Sequence, residues 1–305
     1  MDEFEFINKL KKKPEKDILS IGDDAAYAEG LLIAKDLLVE NVHFLPSTPI
    51  KFVIKKLFVS NISDICAMGG YPEYCLLGIS IPSGYPYMDE LISSINEMTE
   101  KYNICLIGGD TTSSLSGLFL SLTVIGKSYK DVLKRSGAKP GDLVYLSRSV
   151  GLSKLSLEKE LGVREWDINP YLHYNNEPEI ELGRLLGNSG MVTSCIDISD
   201  GLGRDALHVA EMSRVKIIIH EDMLDTTIFN DFDLSDKIKY AISSGEEFAL
   251  MFTVNSEMKE NFSHLTYQFK DRIREIGVVA EGSGVFLKRR NMFIDISKWG
   301  FEHIL

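Results

Sequence analysis

Histidine is scarce in this chain, six residues in 305, and no pair has the H-x-x-x-H spacing of a helical zinc site. The four cysteines, Cys66, Cys75, Cys105 and Cys195, contain no C-x-x-C pair, which argues against a zinc ribbon or a dithiol redox centre. Their apolar neighbours are those of buried, reduced thiols, so a cytoplasmic protein is expected. The start, M-D-E-F-E-F-I-N-K-L-K-K-K, has no signal-peptide apolar core, and no apolar run approaches the roughly 18–20 residues of a membrane span. No membrane partner is therefore expected. Positive charge is also short. Lysine and arginine number 33 against 45 acidic residues, a net charge of −12, which disfavours nucleic acid as a partner. A nucleotide ligand would need local cations.

Several nucleotide and nucleophile motifs are missing too. There is no G-x-S-x-G elbow. The G-K-S at 126–128 lacks the first glycine of a P-loop, since Ser121 stands there inside an apolar strand. G-L-G-R-D-A at 201–206 fits a loose G-x-G-x-x-A, but Asp200 would repel a pyrophosphate, so a helix start capped by Ser199 or Asp200 is the plainer reading.

What remains is 44% hydrophobic and 26% charged, enough for two globular domains. A short amphipathic helix is expected at 2–12. Further helices are expected near 49–68, 88–102, 151–160, 178–187 and 201–213. Strands are expected at 31–36, 73–81, 104–107, 117–126, 192–197, 216–219, 247–254 and 284–287, with one more after Asp142. The segment K-R-S-G-A-K-P-G-D at 134–142 is the best domain boundary, giving domains 1–137 and 138–305. Several gaps are too short for parallel crossovers, so the expected fold class is α+β with mixed sheets.

Acidic residues stand at the ends of apolar elements: Asp23 and Asp24 in I-G-D-D-A-A, Asp36 in A-K-D, Asp64 in N-I-S-D-I-C-A-M-G-G, Asp110 in G-G-D-T-T, and Asp197 and Asp200 in D-I-S-D-G-L. One such segment alone is an ordinary turn or helix cap. Together they suggest a hard oxygen-ligand site suited to Mg²⁺ and a polyphosphate. Asp64 is the least turn-like, lying between Ile62 and Ile65 in an apolar helix, and it shares a face with Asn61. A buried Lys or Arg partner is its alternative explanation. Arg135 is a candidate cation for phosphate.

These segments, taken in order with D-L-L-V-E-N-V-H-F, R-S-G-A-K-P-G-D and G-E-E-F-A-L, resemble the thiamine-monophosphate kinase family. That family shares a superfamily with aminoimidazole ribonucleotide synthetase and selenophosphate synthetase. The resemblance runs from about residue 20 to the end. It implies in-line transfer of the γ-phosphoryl group of ATP to thiamine monophosphate, without a phospho-enzyme. It also implies several Mg²⁺ ions, and a homodimer whose first domains close a β-barrel. Carried over by position, Asp24, Asp36, Asp64, Asp110, Asp197 and Asp200 are metal ligands, with Asp36, Asp64 and Asp110 catalytic. Gly109, Asp110, Arg135 and Ser199 contact ATP, and His43, Glu246 and Phe301 contact thiamine monophosphate. The alternatives are a catalytically impaired binder of nucleotide or thiamine phosphate, or another synthetase of the superfamily. One departure stands out. Ala34-Lys35-Asp36 replaces the family's Thr-Thr-Asp, which removes two hydroxyl oxygens and introduces an ammonium.

Overall fold

The alternation in Leu31–Val39 sets Leu32, Ala34 and Leu38 on a buried face, with Lys35 and Leu37 on an exposed one, so the segment forms a half-buried strand, β2. In the computed structural model, which describes residues 9–10 and 18–301, this strand is part of a five-stranded open sheet. The others are β1 (Ala26–Ala28), β3 (Gly70–Pro82), β4 (Cys105–Ser114) and β5 (Phe119–Ser128), in the order β1-β2-β5-β3-β4. Only β3 and β4 are parallel, and β4 is a free edge. Two helices, α1 (Ile50–Ala67) and α2 (Met88–Lys101), belong to this first unit. Helix α1 packs Ile54, Leu57, Phe58 and Ile62 into the core against Leu32, Leu120, Leu122 and Val124. The helix expected at 2–12 lies largely outside the described residues.

A seven-stranded sheet forms the second unit. Its strands are β6 (Leu143–Leu146), β7 (Val192–Asp197), β8 (Lys216–His220), β9 (Leu250–Val254), β10 (Arg274–Ala280), β11 (Gly284–Arg289) and β12 (Met292–Asp295). The order is β12-β11-β8-β10-β6-β9-β7, with β8 and β11 the parallel pair. The helices are α3 (Leu152–Glu160), α4 (Ile180–Ser189), α5 (Leu202–Ser213), α6 (Lys237–Ser243) and α7 (Lys259–Leu265). Both sheets are mixed, as the α+β reading expects. Within one chain the first sheet is open and closes no barrel.

The two units meet where α4 crosses the C-terminal end of α1. A Cβ at Gly183 would come within 2.6 Å of the Cys66 carbonyl oxygen, and one at Gly187 within 2.7 Å of the Gly69 carbonyl oxygen. Only glycine permits that approach. It brings Asp64, in the last turn of α1, beside Asp197 at the end of β7.

Candidate active site

Four of the six proposed acidic ligands converge. Carboxylate oxygens of Asp24, Asp64 and Asp197 lie within 4.8 Å of one another. They come from the turn before β1, the end of α1 and the end of β7. Asp36, on β2, faces the same group closely enough to raise the pKa of Asp64 and Asp197. Asp24 is fully enclosed and accepts from Arg135 at Nε (3.2 Å) and Nη2 (2.8 Å), while its Oδ2 has no partner. Asp197 accepts from the Ser63 hydroxyl at 2.6 Å. The backbone N–H of Asp36 donates to the Asn61 amide oxygen at 3.1 Å, and the nearby Ser60 hydroxyl, which donates to the Leu57 carbonyl at 3.3 Å, offsets part of the burial penalty on the Asp36 carboxyl. Among the described residues Asp64 forms no ion pair with Lys or Arg, so the buried-partner alternative does not hold for it.

Burial raises the pKa of all four carboxyls, since charge is costly away from water. For Asp64 the charges of Asp36, Asp197 and Asp24 add to the shift. For Asp24, Arg135 offsets only part of the penalty. Asp197 is pushed up to about 7, by burial first and then by Asp24. A group of buried carboxyls with one guanidinium among them is short of positive charge, and a hard cation is the ligand that corrects it.

Around this group two loops lock together. Glu246 N–H donates to the Ser199 carbonyl at 2.7 Å, and Glu247 and Phe248 N–H both donate to the Ile198 carbonyl. Phe301 N–H donates to the Asp200 carbonyl at 2.8 Å, so the last described residue joins the D-I-S-D loop, with its ring largely exposed. Ser199 and Asp200 do not cap α5. Asp205, buried in its first turn, accepts from the N–H groups of Ser199, Asp200 and Gly201 at 3.0–3.2 Å. That carboxylate fills the place a pyrophosphate would take, so G-L-G-R-D-A is a self-capped helix start. Asp23 is likewise structural, accepting the Arg135 backbone N–H at 2.8 Å. The Ser213 hydroxyl steadies the same linker from α5, accepting from Gly137 and Ala138 N–H.

Residues 22–128 match the family model "AIR synthase related protein, N-terminal domain" and residues 139–289 match its C-terminal domain. The thiamine-monophosphate kinase of Bacillus subtilis (strain 168) is 33% identical over 327 aligned positions, covering 99% of each chain. That of Buchnera aphidicola subsp. Schizaphis graminum is 31% identical, covering 100% of this chain and 99% of its own. The chain belongs to the thiamine-monophosphate kinase family. Its fold superposes on AaThiL complexed with AMPPCP and TMP with a TM-score of 0.83, at 29% identity, over 99% of this chain and 97% of that one.

Against the pattern of the thiamine-monophosphate kinase family, two sequence-derived positions fall elsewhere in the fold. G-G-D-T-T continues β4 beyond the strand end expected at 107. A Cβ on Gly109 would lie 1.9 Å from the Leu77 carbonyl oxygen, so its glycine is required by strand pairing. Asp36, Leu122, Leu77 and Gly109 form one transverse row, which sets Gly109 and Asp110 three strands from Asp36, roughly 14 Å at ordinary strand spacing. Asp110 is exposed on the free edge. Lys35 also differs from expectation. By strand alternation it faces away from Asp36, and its Nζ donates to Ser121 at 2.5 Å. Ala34, buried on the Asp36 face, is the substitution that bears on the carboxylates.

His43 lies in the turn after β2; its Nδ1 accepts from Val39 N–H at 3.0 Å, and its carbonyl accepts from Lys56 Nζ at 3.0 Å. Lys56 is buried and paired with Glu246. Lys56, Ser60, Ser63 and Asp205 escaped the sequence reading, although the i, i+4, i+8 spacing of Lys56, Ser60 and Asp64 on α1 carried the signal. Three cysteines are buried as expected, whereas Cys105 is exposed on β4.

Proposed function

We infer that this chain is a thiamine-monophosphate kinase, moving the γ-phosphoryl group of ATP onto the phosphate of thiamine monophosphate to give thiamine diphosphate and ADP. The observation that carries the reading is the enclosed carboxylate group of Asp24, Asp64 and Asp197, with one Asp24 oxygen unpartnered. An oxygen of the acceptor phosphate forms the new bond to the γ-phosphorus. The bond from that phosphorus to the β–γ bridging oxygen breaks, and its electron pair leaves with ADP. The acceptor oxygen is already ionised, so no general base is needed. The histidines agree: His43 Nδ1 is engaged with backbone, and burial, aided by Arg135 and Arg204, lowers His208 to about 4.

We assign Asp24, Asp36, Asp64 and Asp197 as Mg²⁺ ligands, with Asp200 as a further one, on the strength of an all-oxygen donor set lacking positive charge. Bound Mg²⁺ supplies charge neutralisation between the two phosphates. The chain's own residues hold the donors in place: Ser63 fixes Asp197, Asn61 fixes the Asp36 backbone and Arg135 fixes Asp24. Arg135 and Ser199 are assigned to ATP, and His43, Glu246 and Phe301 to the acceptor. The binding-only alternative loses its motive, because Lys35 lies off the carboxylate face.

We propose the domain division at 137/138, and its support is that this point falls between Ser128, the end of the first sheet's last strand, and Leu143, the start of the second sheet's first strand. A cytoplasmic location is supported by the buried free thiols of Cys66, Cys75 and Cys195. No described helix is long and apolar enough to cross a membrane. A homodimer that closes the first sheet into a barrel is supported by the free β4 edge and the exposed Tyr74, Leu76, Leu106 and Ile107 beside it. Such a dimer accounts for Gly109 and Asp110, which then serve ATP across the interface. The 34.2 kDa chain is expected to sediment at about twice its mass. Leu76→Asp with Ile107→Asp should give a monomer with its melting cooperativity kept and at least about 10-fold less activity. A wild-type chain that sediments as a monomer at micromolar concentration overturns the dimer.

The activity itself is tested by incubating the chain with ATP and thiamine monophosphate across a magnesium titration and quantifying thiamine diphosphate. Product should appear only with the metal. Folded protein that makes none refutes the reading.

A further inference from the structure

One ion pair at the site joins Glu246, assigned above to the acceptor, to a buried lysine that has no part in the steps above. Lys56, on α1, has a side chain only 6% exposed, and its ammonium is held by the Glu246 carboxylate and the His43 carbonyl. It also lies 5.3 Å from the centroid of the Tyr174 ring. Burying an ammonium is costly unless it is paired, so these contacts order it in advance of any ligand.

The partner carboxylate is aimed with equal care. Glu246 adopts a left-handed backbone, φ +57°, an uncommon state for a non-glycine residue. Its N–H is tied to the Ser199 carbonyl, and its carbonyl accepts from Asn176 Nδ2 at 2.7 Å and Ser153 Oγ at 3.3 Å. The neighbouring Glu247 is buried, and its Oε1 accepts from Gly151 N–H, Ser153 N–H and the Ser244 hydroxyl at 2.6–3.1 Å. The turn is therefore locked on both sides of Glu246, whose own side chain stays 31% exposed. Strain that the surroundings over-determine in this way is a feature of ligand-gripping turns.

Position completes the argument. Lys56, Ser60 and Asp64 recur every four residues on α1, so they form one row with steps of roughly 6 Å along the helix. The row runs from the ion pair, past Ser60 close to Asp36, to the carboxylate group. Thiamine monophosphate carries a thiazolium cation and a phosphate monoester joined by a two-carbon arm. It is thus a zwitterion of about the span of an ion pair.

We propose that the Lys56–Glu246 pair is the recognition element for a zwitterionic acceptor, with the Lys56 ammonium taking the phosphate monoester and the Glu246 carboxylate taking the thiazolium cation. The proposal rests on the kinase reading for its acceptor and adds Lys56 to the substrate-binding residues. It explains why the chain keeps a buried charge pair open on its carboxylate side: each partner exchanges one opposite charge for another when the acceptor arrives. It also makes the site selective against phosphate monoesters without a cation, because Glu246 would then face an anion.

Full-length wild type, Lys56→Met, Lys56→Arg and Glu246→Gln are compared by calorimetric titration with thiamine monophosphate and by initial rates with MgATP. Lys56→Met should weaken thiamine monophosphate binding and raise its KM at least 10-fold, with the KM for ATP unchanged, and Lys56→Arg should recover part of the loss. Glu246→Gln is assayed with two synthetic acceptors, an N-methylthiazolium ethyl phosphate and the neutral thiazole ethyl phosphate. Wild type should prefer the cationic one at least 10-fold, and the variant should lose that preference. A purely structural role would affect both acceptors alike. Unchanged acceptor affinity in Lys56→Met, or a retained preference in Glu246→Gln, overturns the proposal. If wild type binds thiamine monophosphate but does not phosphorylate it, while the variants lose binding, the kinase reading fails and the recognition element stands.

Discussion

Asp64→Asn should abolish thiamine diphosphate formation, by at least about 10³-fold, and at the same time stabilise the metal-free protein. The activity loss follows from removing one of three converging carboxylates. A metal contributes several kcal/mol of charge neutralisation to phosphoryl transfer, and about 4 kcal/mol corresponds to 10³ in rate. The gain in stability follows from the sign of the pKa shift. Burial and the charges of Asp36, Asp197 and Asp24 raise Asp64 well above its ordinary value of 3.8. A carboxyl raised on folding contributes its full stability below the unfolded pKa and loses it as pH climbs through the folded one. Asp24, Asp36 and Asp197 are raised as well, Asp197 to about 7. In chelator, wild type should therefore melt at progressively lower temperature from about pH 4 upward through neutrality. Asp64→Asn removes the most crowded charge and should flatten that slope, gaining on the order of 1–3 kcal/mol at pH 8, the scale of an uncompensated buried group. Magnesium should raise the melting temperature of wild type more at pH 8 than at pH 5, since protons and metal compete for the same oxygens. Undiminished turnover in Asp64→Asn would remove it from the metal site; melting curves of wild type that are flat across pH would remove the charge crowding.

The sequence made the carboxylates legible because each follows an apolar run, and an apolar run that ends in Asp marks where a buried element surfaces. Asp24, Asp36, Asp64 and Asp197 met in space for that reason. Asp110 shared the same local pattern and did not join them. Linear order says nothing of strand order, and β4 proved to lie at the sheet edge farthest from β1. The strand read at 104–107 stopped at Gly108-Gly109 because glycine pairs weaken a strand signal, yet Gly109 is glycine to let β4 pass the Leu77 carbonyl. The mixed α+β architecture was legible from short gaps between elements. Strands β10 and β12 and helices α6 and α7 were not, being short segments whose identity comes from pairing and packing. Lys56 was hidden for a further reason. A lysine on a helix ordinarily reaches solvent, and it is the folded arrangement of Glu246 in the turn before β9, the His43 carbonyl and the Tyr174 ring that encloses this one.

The same accounting of charge predicts that Arg135→Met is the most destabilising single change at the site. Arg135 holds Asp24 through two nitrogens, and Asp24 has no exposed side-chain surface. Removing one partner of a buried pair leaves the other uncompensated, at a typical cost of 3–5 kcal/mol. Asp24 would then be raised further, by burial and by Asp23 without the guanidinium to oppose them. The melting temperature in chelator should drop by more than 5 °C at pH 8 and by less at pH 4, where protonation of Asp24, raised from its ordinary value, leaves less charge stranded. Replacing both partners separates this effect from chemistry. Asp24→Asn with Arg135→Met leaves no stranded charge and should recover most of the lost stability, while thiamine diphosphate formation stays at least about 10²-fold down because a metal oxygen and a phosphate cation are both gone. If Arg135 instead serves ATP alone, the single variant melts like wild type and loses only its affinity for ATP. If it serves Asp24 alone, the double variant regains turnover with its stability. Arg135 stands between the carboxylates and the linker joining the two sheets, so the expected result is the combination: stability restored by the second substitution, catalysis not.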